Sequence, residues 1–466
     1  MPRYERLSAQ DSTFLYAESP VAHMHVGSLV IFEDSGFTEE AFLAHIGSRL
    51  HLVPRFRKKL AFVPGEQGRP VWVDDPHFDL RFHVRWTGLP RPGNMEQAKR
   101  LMGRVMSIPL DRSRPLWELW MFDLPDGRKG LVQKTHHCLI DGLSGIDLGT
   151  VLLDLEPNPA PQTEPPPAWK PEMPPSGFEL FVDAWAERLS HPGALLNVVQ
   201  QALSGEEKKA PAEGRPSKDV TKGILSFGKI LTERAPETSL NVPIGAHRRF
   251  EIVRADLEHI KALKNKHACK VNDVVLSVVA GGLREILRER GDPVDTLTLR
   301  ALVPVSVRDP SQRMTWGNRV SAMVVELPVR EADPVVRLQW VRDHVAGKKE
   351  SQQAVGAEFW LKVGEYTPPT VLAMASRAVA FQRMVNVTVT NVPGPQFPLF
   401  LLGGQMLEAF PFVPLVGTMA VGVAILSYMG QLCFGVTGDW DAVPDLERFA
   451  AGIENSLRAL ADASPA

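Results

Sequence analysis

Nine prolines fall between Pro157 and Pro175, and neither a helix nor a central strand can run through such a stretch. Each proline fixes φ and removes a backbone donor, so the segment reads as a stiff, extended connector. At 466 residues the chain also exceeds what one hydrophobic core usually serves. Together these features predict two globular halves, residues 1–156 and 241–466, joined by a connector over 157–240.

Both halves mix helical and strand patterns, which predicts an α/β layered architecture. In the first half, Leu7 to Glu18 reads as a short helix and His23 to Glu33 as a strand. Thr38 opens a helix carrying Phe42, Leu43 and Ile46 on one side. Asp79 to Trp86 reads as a strand, Met95 to Met106 as a helix, and Trp117 to Phe122 and Gly130 to Lys134 as two more strands. In the second half, strands are expected over Phe250–Val253, Leu297–Val307, Val320–Leu327 and Val385–Thr390, with sheet over Met419–Gly438. Helices are expected over Ala255–Lys266, Val271–Arg290, Val335–Lys349 and Leu446–Leu460. Phe410 to Met429 lacks any charge but contains Pro411, Pro414, Gly417 and Gly422. So many breakers predict buried strands joined by a turn rather than a membrane span.

Within the connector, Phe178, Phe181, Trp185 and Leu189 recur at helical spacing, as do Val220, Ile224, Phe227 and Leu231. Lys218, Lys222 and Lys229 lie off the second face. These stretches suit docking on the protein or lying on a lipid surface. A net charge of −2 argues against nucleic-acid binding, which needs a basic domain or stripe. Cys138, Cys269 and Cys433 share no disulfide or metal spacing, and the N-terminus lacks an apolar signal core, so a reducing cytoplasm is expected.

The chemistry concentrates in Thr135-His136-His137-Cys138-Leu139-Ile140-Asp141-Gly142, between the Gly130 strand and a helical pattern from Leu143 to Leu153. A neutral imidazole suits proton abstraction near pH 7. The same residues also suit ordinary turn histidines, with Asp141 as a helix cap. Cys138 beside a histidine raises a thiolate nucleophile, although a lone cysteine more often packs in a core. His23 and His25 share one strand face, half of a metal site with no third ligand in a recognisable spacing. No Gly-rich phosphate loop and no Gly-x-Ser-x-Gly elbow occurs.

His136-His137-Cys-Leu-Ile-Asp141-Gly142 matches the HHxxxDG motif of coenzyme A-dependent acyltransferases and of peptide-synthetase condensation domains. Leu7-Ser8-Ala9-Gln10-Asp11, His23-Met24-His25-Val26-Gly27, Pro115-Leu116-Trp117, Asn272-Asp273, Pro304 to Arg308 and Asn391-Val392-Pro393-Gly394-Pro395 narrow the match. With these, the chain resembles the bacterial wax ester synthase/diacylglycerol acyltransferase family. The resemblance implies two related halves, each like chloramphenicol acetyltransferase and condensation domains, with a tunnel between them. It implies an O-acyltransferase moving a long-chain acyl group from acyl-CoA to diacylglycerol or a long-chain alcohol, with no cofactor and no metal. It carries His137 over as general base beside His136, Asp141 as a structural partner of Arg308, and Gly142 as the small residue that leaves room. Asn272 is carried over as a residue near the substrate, with Asp273 beside it as structural. Peripheral association with the inner membrane face or lipid droplets is implied as well. Two other readings stay open: a condensation-type enzyme using carrier-protein thioesters, and a non-catalytic lipid-surface protein of the same fold.

Overall fold

The computed structural model describes residues 4–139, 153–159, 168–190, 233–306, 320–349, 367–380 and 383–463. Its first large sheet runs in the order Phe400–Leu401 (β12), Gly404–Phe412 (β13), His25–Glu33 (β2), Arg128–His136 (β7), Trp117–Leu124 (β6) and Val84–Trp86 (β5). All its pairs are antiparallel except β5 with β6. The second runs Val320–Leu327 (β10), Leu299–Ser306 (β9), Val387–Pro393 (β11), Val421–Tyr428 (β14), Gln431–Asp439 (β15) and Arg248–Asp256 (β8). There β11 lies parallel to both of its neighbours. A small third sheet joins Glu5–Arg6 (β1), Val71–Asp74 (β4) and Lys58–Ala61 (β3).

The helices start where side chains satisfy free backbone donors. Ser8 accepts the Asp11 N–H at 3.0 Å to open Ala9–Ala17 (α1), and Thr38 accepts that of Ala41 to open Glu39–Arg49 (α2). Asn94 and Gln97 form a capping box at Met95–Ser107 (α3). Gly177–Ser190 (α4), Leu257–Lys266 (α5), Val271–Glu289 (α6), Pro334–Lys349 (α7), Pro369–Ala380 (α8) and Leu446–Asp462 (α9) follow. Helices α6, α7 and α9 cover one face of the second sheet, burying Val274, Val278, Leu283, Leu338, Val341, Phe449 and Ile453 in one core. Helix α3 covers the first sheet, where Ala98, Met102 and Val105 meet Leu29, Ile31, Phe122 and Val132.

Within the described residues the expected elements form close to their expected bounds, and Phe410 to Met429 divides into the end of β13, a loop and β14. Asp79 to Trp86 is an exception. The Asp79 carboxylate accepts the Arg81 N–H at 2.9 Å, and Leu80–Phe82 takes a tight helical turn, leaving only β5 as strand. Among the described residues no helix is long and apolar enough to cross a membrane.

Chain order and sheet membership part company at β12 and β13. These strands come from the second half of the chain yet complete the first sheet along the edge of β2. The two sheets therefore meet closely. Phe250, Phe410, Phe412 and Cys433 enter the α3 core, Lys99 pairs with Glu251, and Arg254 Nη2 donates to Glu408 Oε2 at 2.8 Å. At Gly435, a Cβ would stand 1.7 Å from the carbonyl oxygen of Pro411, so only glycine admits this approach of β15 to β13.

The connector helix α4 docks on the small sheet. Leu180 and Ala184 pack against Val63, Val71 and Val73, Arg6 pairs with Glu187 at 2.9 Å, and Tyr4 donates to Asp183. Phe178, Val182 and Leu189 remain exposed on its other side. The second amphipathic stretch, Val220 to Leu231, lies outside the described residues, as does most of the helix expected from Leu143.

Gly435→Ala should destabilise the protein by about 1–3 kcal/mol or more, because backbone rather than a mobile side chain must yield. A thermal or urea unfolding curve unchanged from wild type would contradict this account of the seam.

Candidate active site

The histidine turn is positioned by strand register. β2 and β7 pair with His25 opposite His136, and past that ladder the His137 N–H donates to Met24 O at 2.8 Å. The His136 N–H donates to Leu116 O at 3.0 Å, which ties the Pro115-Leu116-Trp117 stretch to the turn. Leu139 N–H then returns to His136 O at 2.9 Å and closes the turn. The two imidazoles leave the strand end in different directions and meet different partners.

His136 uses both ring nitrogens. Its Nδ1 accepts the backbone N–H of Cys138 at 3.1 Å, which places the ring proton on Nε2. That Nε2–H donates to Glu18 Oε2 at 3.1 Å. Glu18 closes the C-terminus of α1 and also accepts from Arg112 Nη2 at 2.6 Å. Burial opposes ionisation of Glu18, but the bonds from His136 and Arg112 prevail and hold its pKa at about 2.

His137 stacks on Phe14, with ring centroids 3.9 Å apart and planes 14° from parallel. Phe14 belongs to α1, one helical turn before Glu18. Enclosure of the ring pushes the His137 imidazole down to about 4. The His137 imidazole is therefore neutral near pH 7, with Nδ1 buried and the residue half-buried.

His23 and His25 do share a face, with ring centroids 5.3 Å apart, and burial holds both below the ordinary imidazole range. Lys134 is fully buried beside them and pushed down to about 8 by burial, while its Nζ donates to Val105 O at 2.9 Å and to Ile108 O. Those carbonyls end α3, where a cation is favoured. Among the described residues no group of His, Cys, Asp and Glu is arranged to hold a metal ion. Burial pushes the Cys138 thiol well above its usual range, and its Sγ faces His136 at 3.0 Å. That environment opposes the thiolate reading.

Of the remaining sequence candidates, Asn272 stands half-buried in the first turn of α6, on the second half. Asp273 caps that helix by accepting the Lys270 N–H at 2.8 Å. Asp141, Gly142 and Arg308 lie outside the described residues, as does any pairing of Asp141 with Arg308. Glu18, Phe14 and Arg112 were not expected at the site, since Glu18 and His136 are 118 residues apart in the chain. A cleft of about 460 Å³ opens elsewhere, between Arg234 of the connector and Arg300, Glu326, Arg330, Trp340 and His344 of the second half. None of the described histidine-turn residues lines it.

The wax ester synthase/diacylglycerol acyltransferase catalytic domain model matches residues 7–275, and the C-terminal domain model of the same family matches 316–461. A Mycobacterium tuberculosis protein named a probable diacylglycerol O-acyltransferase is 32% identical over 471 residues, covering 97% of this chain and 95% of that protein. Among solved structures, a wax ester synthase/diacylglycerol acyltransferase from Marinobacter aquaeolei VT8 superposes with a TM-score of 0.67 at 24% identity, covering 98% of each chain. The starter condensation domain of rhizomide synthetase superposes at 0.58 with 15% identity, covering 99% of this chain and 95% of its own.

The His137 site gives a direct test in solution. Its ring should titrate by NMR with a midpoint near pH 4 rather than near 6.5. Since the folded pKa lies below the unfolded one, the unfolded chain binds more protons between those values. His137 therefore leaves stability untouched above about pH 6.5 and penalises the fold progressively as pH falls towards 4. A midpoint at the ordinary value would contradict the enclosed ring.

Proposed function

The chain belongs to the wax ester synthase/diacylglycerol acyltransferase family of O-acyltransferases, and we propose that it moves a long-chain acyl group from coenzyme A to diacylglycerol or a long-chain alcohol, with His137 as general base. One observation carries the base assignment. His136 has both ring nitrogens engaged, by Glu18 and by the Cys138 backbone, while His137 is neutral and held flat against Phe14. Nδ1 of His137 is buried, so the reading assigns proton transfer to Nε2.

In the reaction, His137 Nε2 takes the proton of the acceptor hydroxyl as its oxygen attacks the thioester carbonyl. The tetrahedral intermediate collapses with cleavage of the C–S bond, and the imidazolium returns the proton to the departing thiolate. No acyl-enzyme forms, because the thioester is already activated and the buried Cys138 is a poor nucleophile. A positioned base of this kind contributes about 100- to 10,000-fold. The likeness to a condensation domain solved with a C8-CoA is compatible with a CoA donor binding to this fold.

The acceptors are water-insoluble, so the enzyme works at a lipid surface, at the inner membrane face or on lipid droplets. The outer side of α4 supports this, since Phe178 is 76% and Leu189 73% exposed on a helix whose opposite side is docked.

Labelled palmitoyl-CoA offered with diacylglycerol or hexadecanol should give triacylglycerol or wax ester on thin-layer chromatography. His137→Ala should lose at least about 100-fold of that activity with unchanged circular dichroism. Full activity in that variant would end the base assignment, and labelling only from a carrier-protein thioester would replace the donor.

Phe178→Asp with Leu189→Asp should reduce co-sedimentation with anionic liposomes while the melting temperature stays nearly constant. Undiminished sedimentation, or none in the wild type, would remove α4 from the lipid contact.

A further inference from the structure

Helix α1 reaches both motif histidines from one face. Phe14 and Glu18 stand four residues apart, Phe14 against the His137 ring and Glu18 against that of His136. The Glu18 side chain is only 9% exposed, and its second oxygen lies 3.8 Å from His25 Nε2. Arg112 bonds the carboxylate and also the Leu15 carbonyl at 3.3 Å, so the acid and the end of α1 are clipped together. The other side of α1 is equally fixed, with Ala9 and Tyr16 packed on Leu372 and Ala373 of α8.

The His136 ring shapes the turn that carries the base. Its Nδ1 receives the Cys138 N–H only while the ring proton stays on Nε2, and among the described residues Nε2–H is satisfied only by Glu18. Without that acceptor a buried donor is orphaned, and the ring gains a reason to flip or change tautomer. Either change breaks the bond to Cys138 and alters the backbone on which His137 is mounted.

We propose that Glu18 is a positioning residue for acyl transfer: its carboxylate holds His136 in one tautomer and one plane, and through the 136–139 turn holds His137 against its substrate. The inference rests on the assignment of His137 as the base. Glu18 touches no reacting atom and acts only through His136.

A residue that merely ties α1 to the sheet and one that positions the base predict different behaviour for two substitutions. Glu18→Gln keeps an oxygen to accept from Nε2–H but loses the charge facing Arg112. Glu18→Leu keeps neither. In the full-length protein, ¹⁵N spectra of His136 should show the Nε2–H tautomer in wild type and Glu18→Gln, and a mixture in Glu18→Leu. Glu18→Leu should lower kcat about 10- to 100-fold, the cost expected of a misplaced reacting group, with KM for palmitoyl-CoA within about twofold. Glu18→Gln should recover most of that loss. In a His137→Ala background, Glu18→Leu should cost nothing more, because the group being positioned is gone.

Equal losses in Gln and Leu, an unchanged His136 spectrum in Leu, or an undiminished cost without His137 would each overturn the proposal. Should Glu18→Leu fail to fold, Glu18→Asp, whose shorter carboxylate withdraws from Nε2, takes its place in all three measurements. No acyl transfer by the wild type would remove the parent reading, and the tautomer spectra would still judge Glu18.

Discussion

Everything at the histidine turn depends on the antiparallel register between β2 and β7. Their ladder sets His25 against His136 and runs without a shift to Glu33 against Arg128. Leu29 and Ile31 face the α3 core, while Val30 and Phe32 face the opposite one. A slip by one residue would exchange those faces, so the hydrophobic pattern that buries the sheet also fixes where the imidazoles emerge. The His137 N–H to Met24 bond and the Leu116 to His136 bond extend the same lattice into the loop. The site is thus a property of sheet pairing before it is a property of any side chain.

Around that end of the sheet, charge is buried and closely matched. Glu18 is shared between His136 and Arg112, and Lys134 is held by the carbonyls ending α3. Buried ions cost free energy unless hydrogen bonds satisfy them, and these have such partners. The consequence is a division of labour between adjacent residues of one type. His136 is a strut with no free nitrogen, and His137 is a neutral ring held by an aromatic face.

The sequence foretold local matters well. Alternation at Trp117 to Phe122 and the cap at Thr38 announced β6 and α2, and the breakers at Pro414 and Gly417 separated β13 from β14, while Pro411 lies within β13. The histidine pair was equally legible, because its chemistry needs no partner to be noticed. What stayed hidden is non-local. Glu18 is only the last residue of an expected helix until folding brings it to His136, and Phe14 is one more residue inside that helix. The joining of β13 to β2 leaves no trace in either strand, since each has the same apolar pattern it would need in any buried sheet. At Asp79 to Trp86, alternation was outweighed by a carboxylate that satisfied its own backbone.

The edge of β2 that accepts β13 has a further meaning for biosynthesis. On the ribosome, β2, β5, β6 and β7 emerge early, whereas Gly404–Phe412 emerges near the end of the chain. At ~5–20 residues per second, the nascent first sheet waits on the order of tens of seconds for its last neighbour. During that interval the backbone of Leu29 to Phe32 presents unpaired donors and acceptors flanked by apolar side chains, a template for any passing strand. A prematurely terminated transcript that ends after the connector leaves this edge permanently open. With four of its six strands made, the first sheet thus stays adhesive along β2 until Gly404–Phe412 is delivered.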